Sequence, residues 1–155
     1  MKNIIVTGSD GFIGKNLILA LRRLEGINVY GYDINDDISF LKEAVRRADI
    51  IFHLAGVNRP EKTGEYETGN VGFTRMLISM VEESKVKPLI IFSSSIQAAL
   101  DNPYGLSKRR AEEELIDWAK RNESAVVIYR LPNVFGKWCR PNYNSAVATF
   151  CYNIA

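Results

Sequence analysis

The sequence predicts a doubly wound α/β fold, a parallel sheet with helices on both faces. Three observations predict it. Short runs rich in apolar and β-branched residues recur along the chain, and the segments between them repeat apolar residues at three- and four-residue intervals. A glycine-rich turn directly follows the first apolar run. Strands that are apolar almost throughout belong to parallel sheets covered on both sides. Repeated strand–helix alternation then builds right-handed βαβ units.

The expected strands are Asn3–Gly8 (NIIVTG), Asn28–Asp33 (NVYGYD), Asp49–Gly56 (DIIFHLAG), Pro88–Ser95 (PLIIFSSS) and Ala125–Arg130 (AVVIYR). The expected helices are Phe12–Gly26, Asp37–Asp49, Thr68–Lys85 and Tyr104–Asn122, each with one apolar stripe to lay on the sheet. After them, LPNVFGKWCRPNYN reads as a loop, and SAVATFCYNIA begins a helix that reaches the last residue. Its apolar, uncapped end suggests truncation, because a finished helix usually closes on polar or glycine signals. Residues 1–155 are therefore expected to form one domain, cut before its last strands.

Composition narrows the function. A chain of 155 residues, 46% hydrophobic and 25% charged, can bury a core and looks like an ordinary globular protein. A net charge of +2 without a basic run offers no footprint for nucleic acid. The N-terminal apolar run is too short for a signal peptide, and no stretch approaches the roughly 18 apolar residues of a membrane span. Cys139 and Cys151 form neither a CxxC pair nor a metal spacing. They are expected to be reduced thiols of a cytoplasmic protein with no metal site.

The turn TGSDGFIGKNL spaces Gly8, Gly11 and Gly14 three apart, with Phe12 and Ile13 opening the helix between the last two. A strand–glycine turn–helix sequence lets backbone approach a pyrophosphate at the helix N-terminus. Asp33 closes the second strand nineteen residues beyond Gly14. A carboxylate there accepts the hydroxyls of an adenosine ribose and repels the 2′-phosphate of NADP; Asp10 adds to the repulsion. The features imply a Rossmann-type dinucleotide site that favours NAD(H), with NADP(H) as the alternative form. The competing reading is a tight turn beside an acid that caps it.

NPYGLSK, Asn102 to Lys108, places Tyr104 and Lys108 four apart, on one helix face. They are two solvated side chains or an acid and the cation that tunes it. A nearby ammonium stabilises phenolate and lowers a tyrosine pKa from its usual value near 10. Spacing alone does not choose.

The glycine turn, HLAG at His53–Gly56, SSS at Ser93–Ser95, YGLSK and YRLPNVFG stand in one order. Together they resemble the extended short-chain dehydrogenase/reductase, or NAD-dependent epimerase/dehydratase, family, whose members modify nucleotide-linked sugars. The resemblance runs along the whole chain. HLAGVNRPE, SSSIQAALDNPYGLSK and FGKWCRPNYNSAVATFCYNIA are similar to one group in particular. These are bacterial capsular-polysaccharide reductases that act on a UDP-4-keto-6-deoxy-hexosamine on the route to UDP-N-acetyl-L-fucosamine. They carry a C-terminal cupin domain that residues 1–155 do not include.

The resemblance implies that Ser95 orients the substrate, Tyr104 is the acid/base, and Lys108 is the cation beside it and holds the nicotinamide ribose. Hydride arriving at a ketone carbon leaves charge on oxygen, which Tyr104 protonates while Ser95 hydrogen-bonds the same atom. Asn70 falls where the family has an asparagine that shapes the site. Leu54, Ala55, Gly56 and Ser93 are expected along the cofactor. Asp37 and Ile38 resemble an acid–aliphatic pair that contacts adenine, or are simply the first turn of a helix. Asn133, Lys137 and Arg140, with Arg59 behind them, are candidates for the UDP-linked sugar or a solvated loop. His53 reads as a buried strand histidine rather than a catalyst.

Ile96 and Gln97 stand where sugar dehydratases carry Asp-Glu, so elimination of water is not expected. Only nine positions separate Ser95 from Tyr104, a short connection shared with the capsular group. That group resembles NADPH users with basic residues near positions 10 and 33, where this chain has acids. The expected activity is reduction of a 4-keto sugar nucleotide by a homodimer of the longer protein. A 4-epimerase using the same Ser95, Tyr104 and Lys108, or an inactive dinucleotide-binding fragment, is the alternative.

Overall fold

A computed structural model describes residues 1–155. Five strands, β1 (Lys2–Thr7), β2 (Ile27–Tyr32), β3 (Ile50–His53), β4 (Leu89–Ser95) and β5 (Val126–Leu131), form one sheet in the order β2-β1-β3-β4-β5. Every pair is parallel. The helices between them are α1 (Phe12–Leu21), α2 (Ile38–Val45), α3 (Gly64–Tyr66), α4 (Phe73–Ser84) and α5 (Pro103–Asn122), and α6 (Ala146–Ile154) follows the last loop. This is the doubly wound architecture expected. No helix is long and apolar enough to cross a membrane.

The two faces are covered unequally. Ile5, Leu41, Val45, Ile51, Leu77, Val81, Ile90, Phe92, Leu115 and Trp118 form the larger core, where α2, α4 and α5 pack on the sheet. Ile4, Val6 and Leu21 form the smaller one beneath α1. Ile4 and Ile5 are neighbours in β1 yet lie in different cores, which is why the strand is apolar at consecutive positions. At the far edge, β5 keeps Val127 and Tyr129 exposed.

Strand boundaries agree with the expected ones to a residue or two, except that β3 ends at His53 rather than Gly56. The Ala55 N–H leaves the ladder and donates instead to Thr7 Oγ1 at 3.2 Å. The first helix is also shorter than expected, closing at Leu21. Gly26 then takes φ +74° and its carbonyl accepts from Lys2 N–H, starting the return into β2. Between α3 and α4 the chain winds as a π-helix, Glu67–Gly72, a geometry that commonly marks functional sites. Ahead of α5 lies a 3₁₀ turn, Ile96–Ala99. Asn102 caps α5 by accepting from Gly105 N–H, with Pro103 at the first helical position.

From β1 the chain crosses one way to β2 and thereafter the other way to β3, β4 and β5. The reversal between β1 and β3 opens a crevice at the strand C-termini, the usual ligand position in such sheets. No strand lies outside β2, so the chain turns from Tyr32 through a short acidic loop straight into α2.

Trp118 is the largest fully buried side chain. Trp118→Ala is expected to cost about 3–5 kcal/mol, measured as a lower urea midpoint with the unfolding slope retained.

Candidate active site

The glycine turn sits at the crevice. Gly8 has φ +70°, and a Cβ there would come within 2.8 Å of the Ala55 backbone nitrogen. A Cβ on Gly14 would collide with the Gly8 carbonyl oxygen. Both glycines are thus required by backbone contact, one between strand ends and one between turn and helix. Gly11 is exposed and serves as the N-cap of α1 without any side-chain cap. The first turn of α1 is accordingly left without a capping side chain where Gly11, Phe12, Ile13 and Gly14 line the cleft. This turn fits a dinucleotide pyrophosphate.

Asp33 braces the turn. One carboxylate oxygen accepts from Asp10 N–H at 2.7 Å and the other from Ile34 N–H at 2.8 Å. Asp36 in turn accepts from Asp33 N–H at 2.7 Å. Asp37 caps α2, accepting from Ser39 N–H, and that bond lowers its pKa. Ile38 is 41% exposed at the start of the same helix. Four carboxylates therefore gather where β1 and β2 end.

A cleft of about 940 Å³ runs from the glycine turn to the head of α5. It is lined by Gly8, Gly11, Gly14, Leu54, Gly56, Asn70, Ser93, Ser95, Tyr104 and Lys108, and on its far side by Arg59, Asn133 and Arg140. Asp33, Asp37, Ile38, Ala55 and Lys137 lie off its walls. Ala55 contributes its backbone beneath Gly8. Lys137 is exposed, its Nζ 4.5 Å from the Trp138 ring centre and its carbonyl accepting from Asn16 Nδ2.

Ser95 ends β4 and its Oγ accepts from Gln97 N–H, closing the 3₁₀ turn that leads to Tyr104. Tyr104 packs against Tyr66, ring centres 5.7 Å apart. Burial raises the Tyr104 pKa, Ser95 beside it opposes the rise, and Tyr66 and Tyr143 add to it. Lys108 is buried, with Nζ 4.2 Å from the Phe92 ring centre. Its pKa is lowered to about 8 by burial, against the pull of Glu112. The sequence expectation that Lys108 holds the phenol below its usual range is corrected here. Desolvation dominates Tyr104, and the phenol is held protonated.

Asn70, buried in the π-helix, accepts from Val57 N–H at 2.8 Å and donates to Val57 O and to Ser107 Oγ. Ser107 donates to Tyr104 O, so Asn70 links the β3 loop to the tyrosine's own turn. A second chain of bonds lies beneath. Ala55 N–H donates to Thr7 Oγ1, which sits 3.0 Å from His53 Nδ1; His53 Nε2 is 2.9 Å from Thr74 Oγ1, which donates to Asn70 O. Thr74 spends its only proton on Asn70, so it accepts from a protonated Nε2, and Nδ1 accepts from Thr7. Every member is satisfied only with a neutral imidazole. Burial, aided by the Lys108 charge, lowers the His53 pKa to about 3. His53 is thus the buried strand histidine expected.

The structure adds residues that motif reading missed. Gln97, Tyr66, Tyr143 and Trp138 all line the cleft. Tyr143 donates to Asn58 O and carries the Arg59 guanidinium 5.4 Å from its ring centre, so the last loop clamps the loop after β3. A second, more open polar cavity of about 600 Å³ adjoins, lined by Arg59, Gln97, Asn133 and Tyr143 among others. Only the local richness in Asn and Tyr around 142–144 hinted at this wall.

A parallel sheet reversing at a glycine turn, with serine, tyrosine and lysine converging on the same cleft, defines a Rossmann-type α/β domain whose crevice suits a dinucleotide. The chain belongs to the NAD dependent epimerase/dehydratase family, whose description matches residues 4–155. It is 50% identical over 151 residues to a UDP-2-acetamido-2,6-beta-L-arabino-hexul-4-ose reductase of Pseudomonas aeruginosa, covering 97% of this chain and 41% of that protein. The capsular polysaccharide assembling protein CapF of Staphylococcus aureus superposes with TM-score 0.86 at 46% identity, covering 98% of this chain and 41% of CapF. A UDP-glucuronic acid 4-epimerase from Bacillus cereus, solved with NAD, shares the fold at TM-score 0.84 and 22% identity, covering 98% of this chain and 63% of that one. The chain thus spans about two fifths of the length of the first two relatives.

The histidine sets a pH dependence. Its folded pKa of about 3 lies below its unfolded value, so between them the unfolded chain binds the extra proton. Stability is therefore expected to fall as pH drops from about 6.5 towards 3, by about 1.4 kcal/mol per pH unit from this residue. Urea titrations at pH 7 and 5 check it; His53→Gln should remove that part of the slope.

Proposed function

We propose that residues 1–155 are the dinucleotide-binding portion of a longer sugar-nucleotide reductase acting on the 4-keto group of a UDP-linked 6-deoxy-hexosamine. The observation that carries this reading is the convergence of Ser95, Tyr104, Lys108 and Asn70 on the cleft that begins at the glycine turn. The names of the P. aeruginosa and S. aureus relatives support the substrate class and the link to capsular polysaccharide.

Gly8, Gly11 and Gly14 with the free N-terminus of α1 would hold the pyrophosphate, Asp33 the adenosine ribose, and Leu54, Gly56 and Ser93 the length between. When bound, the dinucleotide supplies a hydride to the ketone carbon. Tyr104 donates its phenolic proton to the substrate oxygen, and Ser95 Oγ hydrogen-bonds the same oxygen. Lys108 stabilises the phenolate left behind. Ile96 and Gln97 carry no carboxylate able to remove a proton, and Ile96 is exposed; this supports reduction over dehydration. Arg59, Asn133 and Arg140 on the far wall, with Lys137 at its rim, would meet the UDP-sugar.

The carboxylates of Asp10, Asp33, Asp36 and Asp37 favour NAD(H) over NADP(H), because a 2′-phosphate would add negative charge among them. Homodimerisation of the longer protein belongs to the same proposal.

In the longer protein, Tyr104→Phe is expected to lower kcat about 10²–10⁴-fold with dinucleotide affinity nearly unchanged; an unchanged kcat removes Tyr104 from the chemistry. Asp33→Ser is expected to shift the NADPH-to-NADH affinity ratio about tenfold towards NADPH, read by fluorescence titration. A wild-type protein that already prefers NADPH defeats the carboxylate argument.

A further inference from the structure

Glu112 is a buried carboxylate that the proposed chemistry leaves unused. Its side chain is 4% exposed, one turn beyond Lys108 on α5. The Ser94 hydroxyl donates to Oε1. Arg130 Nε reaches Oε1 at 3.0 Å and Arg130 Nη2 reaches Oε2 at 2.6 Å, a two-pronged pair. Both oxygens are thus held from the sheet, one by β4 and β5 together and the other by β5 alone. Ser94 lies between Ser93 and Ser95, and Arg130 precedes Leu131; those three flanking residues line the cleft.

The surroundings of Lys108 show why the carboxylate matters. From β4 the ammonium meets the face of Phe92. From β3 it meets neutral His53, whose own pKa it depresses. A Cβ on Gly56 would lie 3.7 Å from its Nζ, and Asn70 is beside it, an amide without charge. On α5 the neighbours are Tyr104, held as a phenol, and Glu112. A buried ammonium without a carboxylate sheds its proton; a ring face offsets only part of that cost. Glu112 is the one acid whose charge raises the Lys108 pKa against burial. Arg130, half exposed, faces Glu112 from the solvent side.

We propose that Glu112 is a positioning residue for Lys108: clamped by Ser94 and Arg130, it ties the Tyr104–Lys108 segment of α5 to the ends of β4 and β5 and gives the buried ammonium its counter-charge. The proposal rests on the reading of Lys108 as the cation that serves Tyr104. It assigns a task to the i+4 carboxylate of the YGLSKRRAE segment, separate from any contact with cofactor or substrate.

Glu112→Gln in the longer protein tests it, since the amide keeps the shape and removes the charge. With less opposing burial, Lys108 should lose its proton at lower pH. Its ammonium resonance, followed by NMR without cofactor, should titrate about one pH unit or more lower, a tenfold change in the protonation constant. The alkaline limb of kcat/KM should move down with it, while KM for the dinucleotide changes little. Arg130→Gln removes the opposing cation and should leave the Lys108 titration in place or raise it. A Glu112→Gln protein that is less stable yet titrates Lys108 at the wild-type pH makes Glu112 a structural tie only and overturns the proposal. If Glu112→Gln does not fold, a downward shift in Arg130→Gln overturns it instead. A displaced Lys108 titration in a protein that reduces no UDP-4-keto sugar supports this proposal and defeats the sugar reading.

Discussion

The ligand end of the molecule depends on how closely β1 approaches the end of β3. Gly8 lies against the backbone of Ala55 with no room for a side chain. That contact needs both a left-handed residue and a β3 that leaves the ladder early, since the Ala55 N–H must turn to Thr7. From it follow the start of α1, the position of the HLAG segment along the crevice, and the hydrogen-bond chain through His53 and Thr74 to Asn70. A larger residue at position 8 would separate two strands and slacken every polar link that descends from them.

Two charged groups of the same helix are removed from water on this scaffold, and the fold treats them differently. Glu112 is matched by donors at both oxygens. Lys108 is left under-compensated, its pKa drawn down to about 8. An ammonium held near its titration point responds to small changes nearby, whereas a fully paired one does not. The same logic covers His53, which is satisfied only as a neutral ring. Stability at low pH is given up to keep that corner of the core dry and ordered.

The strands, the helices and the order of the motifs were legible in the sequence, because parallel strands are apolar at every position and glycine turns obey steric rules. Ser95, Tyr104, Lys108 and Asn70 were legible as a set only through their order along the chain; spacing alone left each open. What escaped was whatever depends on the third dimension. Periodicity overshoots the end of α1, since Leu24 continues the apolar pattern after the backbone has turned. The direction of the Tyr104 pKa could not be read from its distance to Lys108 in sequence, because burial dominates it and the Ser95 hydroxyl is what opposes the rise. Glu112, Ser94 and Arg130 sit on three separate elements, and nothing local in any of them announces the others. Asp37 read equally well as an adenine contact or an acid in a helix's first turn, and its bond to Ser39 N–H, which makes it the N-cap of α2, was not legible in the pattern.

The π-helix between α3 and α4 bears on how this segment can vary. Its wider turn admits one residue more than α-geometry would, and Asn70 stands inside it. Removing Val71 or Gly72 would let an ordinary α-helix re-form and rotate Asn70 and whatever precedes it by about 100° relative to α4. Asn70 would then face away from Val57 and Ser107 even if its identity were kept. The segment is therefore permissive to exchange at exposed Thr68 and intolerant of a change in length after Asn70, so that a one-residue deletion there would disable the site while leaving its functional residues in the sequence.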